Sequence, residues 1–293
     1  MKEKNKKKKK RRIFDIIRIV VLLVALSVLL YPTISNYLYE KNSSKVISSY
    51  DENVVKLSQK VRKAMLKAAR EYNKRLSGTT EILDPFSPVE KEKNTEYEGL
   101  LNVNGAGMMG YIKIPKINVE LPIYHGTTEA VLQAGVGHFE GTSLPVGGES
   151  THTVLTGHRG LPSKMLFTDL DELENGDIFY LDIVGEKFAY QVDQILTVLP
   201  EDTEELSIEE GKDYATLVTC TPYAVNTHRL LIRGHRIPYK EAIQQEPDKE
   251  IKVQLPFQVK VLIGGVSILV LVLLILLLYS KKSKKKNKKI EKK

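Results

Sequence analysis

One cysteine, Cys220, is present among 293 residues. No intramolecular disulfide can form, so a domain placed outside the cell has to be held by its own hydrophobic core, which a stretch of about 220 residues can supply. Metal-binding signatures are equally scarce. There is no HExxH, and none of the six histidines (His125, His138, His152, His158, His228 and His235) stands four residues from another, which argues against a zinc site. No fixed-period repeat is present. Between residues 35 and 255 the chain is short of positive charge, with 24 Lys and Arg against 33 Asp and Glu, a net −9. A body of that sign has no general grip on a phosphate backbone, so a nucleic-acid partner is excluded.

The overall +8 comes from the ends. Residues 1–12 hold nine Lys and Arg with one Glu, and residues 281–293 hold the same numbers, so each tail is at +8. Just inside them lie two apolar runs. Val261 to Tyr279 is 19 residues without a charge, close to what a helix needs to cross the hydrocarbon core. The first run, Ile13 to Tyr31, contains Asp15 and Arg18, and its clean stretch, Ile19 to Leu30, is twelve residues long. A cleaved signal peptide is the alternative reading of this run; no small-x-small site follows Leu30, so an uncleaved anchor is preferred. Basic flanks stay in the cytoplasm, which puts both tails on one side of a membrane and residues 35–255 on the other.

Residues 52–77 carry Leu57, Val61, Met65, Ala68, Tyr72 and Leu76 at spacings of three and four, the pattern of one amphipathic helix ending near Ser77-Gly78. Residues 78–100 contain Asp84-Pro85 and Ser87-Pro88 and read as a surface arm. Residues 109–127 read as two short strands broken at Pro115 and Pro122. Further strands are expected at 152–157, 178–183, 188–198, 215–220 and 229–234, with helical turns near 128–133 and 164–173 and a hairpin loop at Val184-Gly185-Glu186. Many short strands with few helices indicate a closed or nearly closed antiparallel barrel. Residues 238–256 have the composition of a linker.

The segment TLVTCTPYAVNTHRLLIRGHR, residues 216–236, carries the most chemistry. It puts Cys220 at a strand end, beside a loop, where a substrate can reach it. In an antiparallel pair the returning strand passes alongside, so Arg229 can lie next to Cys220, where a guanidinium lowers a thiol pKa and donates to an acyl oxygen. A thiol nucleophile also needs a proton partner. His158 is the best placed, at the end of the strand TVLTG; His228 is the runner-up and should face away from Arg229 in a regular strand.

These stretches, with THTVLTGHRGLPSKMLFTDLDELENGD and GYIKIPKINVELPIYHGT, resemble the sortases of Gram-positive bacteria, specifically the class C, pilin-polymerising group. The C-terminal span and a pre-barrel lid with an Asp-Pro-aromatic motif, here Asp84-Pro85-Phe86, also resemble class C. The resemblance implies an eight-stranded, mainly β barrel with short helices and a cysteine transpeptidase activity. It implies Cys220 as nucleophile, His158 as proton donor and acceptor, and Arg229 as stabiliser of the oxyanion or substrate, with no metal or organic cofactor. The implied partners are pilin precursors bearing an LPxTG-like signal, cut between Thr and Gly, a pilin lysine as acyl acceptor, and the membrane. A housekeeping sortase that anchors proteins to the cell wall, or a non-catalytic scaffold for pilus assembly, are the alternatives. Ala224 stands where the family pattern leads us to expect Gly. The domain map that follows is a tail at 1–12, an anchor at 13–34, an extracellular helix and lid segment at 35–100, the catalytic barrel at 101–240, a linker at 241–256, a second transmembrane helix at 257–280 and a tail at 281–293.

Overall fold

The computed structural model describes residues 2–76, 84–87, 94–249, 251, 253, 255–257 and 259–267. Most of the expected second span, 257–280, and all of the tail 281–293 lie outside the described residues. The chain divides into two compact units, Leu38–Val253 and a second formed by Met1–Tyr37 with Gln254–Lys293. The part of helix α1 (Lys2–Lys56) that belongs to the latter exposes Val20, Val21, Leu22, Val24, Val28 and Leu29, each by more than half. Among the described residues one helix is long and apolar enough to cross a membrane, over Val20–Lys56.

The amphipathic stretch expected as one helix over 52–77 is divided. α1 runs to Lys56, and a new helix, α2 (Gln59–Arg75), starts because Ser58 adopts an extended conformation and its hydroxyl accepts from the Val61 N–H at 3.3 Å. The restart rotates the buried face, so Leu66, Ala69, Tyr72 and Asn73 pack inward while Val61 is exposed. A short helix, α3 (Thr95–Gly99), capped by Asn94, inserts Tyr97 beneath the following barrel.

Eight strands close that barrel in the order β1-β2-β3-β4-β7-β8-β6-β5. They are β1 (Met108–Ile114), β2 (Val119–His125), β3 (Val136–His138), β4 (Thr151–Thr156), β5 (Ile178–Ile183), β6 (Glu186–Val198), β7 (Asp213–Thr221) and β8 (His228–Ile237). The sheet is mixed, since β2 pairs with β3 and β4 with β7 in parallel, correcting the all-antiparallel expectation. Strand β4, antiparallel to β3 and parallel to β7, is buried along its whole length, as is β5. The chain breaks at Pro115 as expected, with Asn118 left-handed at the end of the turn. It runs straight through Pro122, because β3 pairs only from Ile123 onward and a missing N–H at Pro122 costs no ladder bond on that side. The β5–β6 hairpin turns in two residues, Val184 and Gly185, both at positive φ, which matches the twist of the flanking strands.

The period-2 alternation of the strands sorts two apolar layers. Leu155, Leu217 and Ile232 belong to the barrel interior with Phe179 and Tyr190. Their neighbours Val154, Val218 and Leu231 form a separate cluster on the outer face with Phe139 and Leu206. Residues 239–249 are more than the linker their composition indicates. Helix α4 (Glu129–Ala134) packs by β2 and β3, and α5 (Tyr239–Gln245) buries Ala242 against Ile178, Tyr180, Ala189 and Ile237. Asp248 then accepts from Lys113 at 3.2 Å, Lys187 at 2.5 Å and the Tyr239 hydroxyl at 2.9 Å, with its side chain 4% exposed.

Candidate active site

Cys220 is the penultimate residue of β7 and pairs across the ladder with Arg229, the second residue of β8. Counting by twos from Val218 and from Leu231 puts both side chains on the outer apolar face. The same count puts His228 on the face of Leu230 and Ile232, away from Cys220, and His228 bonds its neighbour Thr227. His158 follows β4, which lies beside β7. Its placement depends on Gly157: a Cβ there would come within 2.6 Å of the Phe167 ring. The Gly157 carbonyl accepts from Thr219 at 2.7 Å and its N–H donates to Val218, which ties the end of β4 to β7 just ahead of the thiol.

The arm residues occupy this mouth. Asp84 accepts from Arg229 through both oxygens, Nε to Oδ1 at 2.8 Å and Nη2 to Oδ2 at 2.6 Å, and both side chains are 11% exposed. Such forked, charge-assisted pairs are among the stronger hydrogen bonds in proteins. Asp84 also accepts from the Phe86 N–H at 3.3 Å, so the turn Asp84–Ser87 is fastened by the same carboxylate. The Phe86 ring lies 5.0 Å under the Arg229 guanidinium and 5.9 Å from the His158 ring, and packs against the outer apolar cluster. Pro85 is buried. Burial pushes the Cys220 pKa upward, Arg229 pulls it down and Asp84 pushes it up again, with a net rise. Asp84 in turn is the main cause of the raised pKa of Arg229. Of these three influences, Asp84 is the one that the turn supplies as a charge.

The β7–β8 loop is kept by Arg229 Nη1, which donates to the carbonyls of Asn226 at 3.3 Å and His228 at 3.1 Å. Ala224 sits at φ +61°, the left-handed region that favours glycine, which gives the departure at this position a physical meaning. Two contributors carry no motif of their own. Arg159 donates to Thr221 at 3.1 Å and pairs with Asp171, joining the His158 loop to the end of β7; its only signal is adjacency to His158. Glu129 reaches His158 from α4.

The remaining histidines are elsewhere. His138 and His152 are buried and neutral, their pKa values pushed down to about 4 mainly by burial; His138 bonds Tyr97 and Ser143, and His152 bonds Ser207 and Thr216. His125 faces the carbonyls of Leu100 and Gly107, and His235 pairs with Asp193. Among the described residues no group of three or more His, Cys, Asp and Glu is arranged to hold a metal ion.

A thiol and a guanidinium on one face of a closed barrel, with an imidazole at its rim, are the groups that cysteine-based acyl transfer requires. Comparison with known proteins agrees. The sortase domain model matches residues 112–237. Sortase D of Bacillus subtilis (strain 168) is 34% identical over 131 residues, 44% of this chain and 63% of that protein, so this match spans less than two thirds of the relative. Sortase A of Staphylococcus aureus is 28% identical over 225 residues, 75% of this chain and 92% of that one. Among solved structures, sortase C of Streptococcus pneumoniae superposes with a TM-score of 0.62 at 50% identity, covering 67% of this chain and 97% of that one. Sortase C1 of Streptococcus agalactiae gives 0.62 at 50% identity, covering 66% and 98%. The chain belongs to the sortase family, cysteine transpeptidases, and these structural relatives are of class C.

Proposed function

We propose that this chain is a pilin-polymerising sortase whose mouth is closed at rest by its own Asp84-Pro85-Phe86 turn. The observation that carries the reading is the pairing of Asp84 with Arg229, together with the Phe86 ring lying between Arg229 and His158. An arm preceding the barrel thereby fills the space where an acyl donor has to sit. Displacing it frees the guanidinium for an oxyanion and removes the negative charge that raises the thiol pKa.

In the open state the Cys220 thiolate attacks the Thr carbonyl of an LPxTG-like signal, and Arg229 stabilises the oxyanion of the tetrahedral intermediate. His158 protonates the leaving Gly amine, which departs as the thioester forms. A pilin lysine then gives up a proton to His158 and attacks the thioester, releasing Cys220 and closing an isopeptide bond. A second exposed thiol would be free to trap the nucleophile as a disulfide, which is consistent with a single cysteine. The basic tails and the apolar run of α1 support an enzyme held in the membrane with both ends cytoplasmic and the barrel outside, where pilins emerge.

The test is to react the full-length chain with a pilin precursor and sequence the product by mass spectrometry. We expect a ladder of multimers joined from a Thr carbonyl to a lysine amine, absent with Cys220→Ala, a loss of at least about a thousandfold. Polymerisation that survives Cys220→Ala contradicts the assignment.

A further inference from the structure

The imidazole assigned as proton partner is itself held by a carboxylate 29 residues earlier in the chain. His158 Nε2 lies 3.3 Å from Glu129 Oε2, with the imidazole 18% exposed. Glu129 stands in the first turn of α4, whose N-terminus is capped by the Thr128 hydroxyl accepting from Val131 at 3.4 Å. Its two oxygens are divided between two partners. Oε1 accepts from Gln133 Nε2 at 2.8 Å, one helical turn on, which leaves Oε2 to His158.

Gln133 is fixed in turn. Lys164 Nζ donates to its side-chain oxygen at 3.0 Å and to its main-chain oxygen at 2.6 Å. Lys164 belongs to the same β4–β5 connection as His158, and its ammonium lies 5.3 Å from the Tyr39 ring, whose hydroxyl donates to the Ala134 carbonyl at 2.9 Å. Helix α4 is therefore pinned at its C-terminal end by Tyr39 and Lys164, and it presents Glu129 at its other end. The charged groups of the surrounding elements have their own partners: Arg229 of β8 is bound by Asp84, and Arg159 by Asp171. Gln133 first, and His158 with it, hold the Glu129 carboxyl below the ordinary carboxylate range, so it is ionised wherever an imidazole titrates.

We propose that Glu129 is a positioning residue for His158: it accepts the Nε2–H bond, fixes the tautomer and ring plane, and stabilises the imidazolium formed when the thiol gives up its proton. The arrangement leaves Nδ1 as the nitrogen that exchanges protons with Cys220 and the substrate amines. This rests on the assignment of His158 as proton partner in the reading above.

The test uses the full-length chain with Asp84→Ala and Phe86→Ala as parent, so that the turn does not limit the rate. Glu129→Gln and Glu129→Asp are made on it, and transfer of a sorting-signal peptide to a lysine-bearing acceptor is followed from pH 5 to 9. For Glu129→Gln we expect kcat to fall roughly tenfold with KM changed less than about twofold, since an orienting partner is lost and substrate contacts are not. The pH dependence of kcat should change as well, because Glu129→Gln takes a carboxylate away from the group that exchanges the protons. Glu129→Asp should restore part of both. A pH profile and kcat superimposable on the parent's would overturn the proposal, as would a loss of kcat matched by a loss of thermal stability with the profile unmoved.

The ring 15N chemical shifts of His158, assigned with His158→Asn, read its tautomer, and so the same contact, without turnover. An unchanged tautomer in Glu129→Gln counts against the proposal even if the parent forms no product. Absence of product in the parent counts instead against the transpeptidase reading.

Discussion

Two groups of partly buried charges lie on the barrel, and they differ in what they join. At the mouth, one four-residue turn contributes one carboxylate and one ring to Arg229 and His158. On the β1–β5–β6 side, Asp248 binds Lys113 and Lys187, Lys113 also meets Glu120 at 3.5 Å, and the Tyr111 hydroxyl lies 3.2 Å from Asp182 and 3.5 Å from Asp51. That cluster ties the end of α1, the four strands β1, β2, β5 and β6 and the segment after α5 to one another, through side chains that, Asp248 apart, are set on regular elements. The chemistry of the pairs is the same. Moving one short segment releases every pair at the mouth, whereas moving the segment that carries Asp248 leaves Lys113 with Glu120 and Tyr111 with Asp182, so the mouth is suited to opening and the second cluster to holding the barrel to its flanking chain.

The comparison can be broken from the holding side. Asp248→Ala leaves two lysines without their shared carboxylate in a site only 4% exposed on the acid's side. We expect a loss of about 3 kcal/mol in unfolding free energy, seen as a drop of several degrees in Tm, with Cys220 alkylation unchanged. Burial acts to raise the Asp248 pKa, but Lys187, Lys113 and Tyr239 hold it below the usual range. Its contribution is therefore present above the unfolded value of about 3.9 and is lost as pH falls through the folded value. A Tm that is insensitive to Asp248→Ala would remove the distinction between the two clusters.

A smaller effect sharpens it. Asp182 is pushed up to about 6, first by burial and then by Asp51, and its Oδ1 has no hydrogen-bond partner among the described residues. A folded pKa above the unfolded one means the native state binds the proton more tightly, so Asp182 detracts from stability as pH rises from about 4 through 6. Asp182→Asn keeps the acceptor for Tyr111 and should gain about 1–2 kcal/mol at pH 8, with the gain disappearing near pH 4. Chemical denaturation at the two pH values measures this directly. Equal differences at both would show that Asp182 does not titrate as its surroundings require.

Much of the site is local in sequence and was legible there. A β-branched run ending in Cys220, a loop and a returning strand beginning near Arg229 fix the neighbour relation through antiparallel pairing alone. The alternation of β8 likewise turns His228 away from Arg229. Strand direction was not legible, because alternation is the same in parallel and antiparallel ladders, and β4 and β7 are brought together across a long connection. Strand β3 spans three residues, Val136–His138, too few to show a pattern. Helix α5 offers one small buried residue, Ala242, within a polar stretch, so its packing leaves little compositional trace. Glu129 sits on a six-residue helix and meets His158 only through the tertiary fold.

The claim that the Asp84–Ser87 turn closes the Cys220 mouth is tested most directly by the rate of Cys220 alkylation in the full-length chain. We predict that Asp84→Ala with Phe86→Ala raises that rate at pH 7 by roughly tenfold or more, because the thiol is uncovered and loses the nearby negative charge that raises its pKa. An alkylation rate equal to that of the parent would contradict the account.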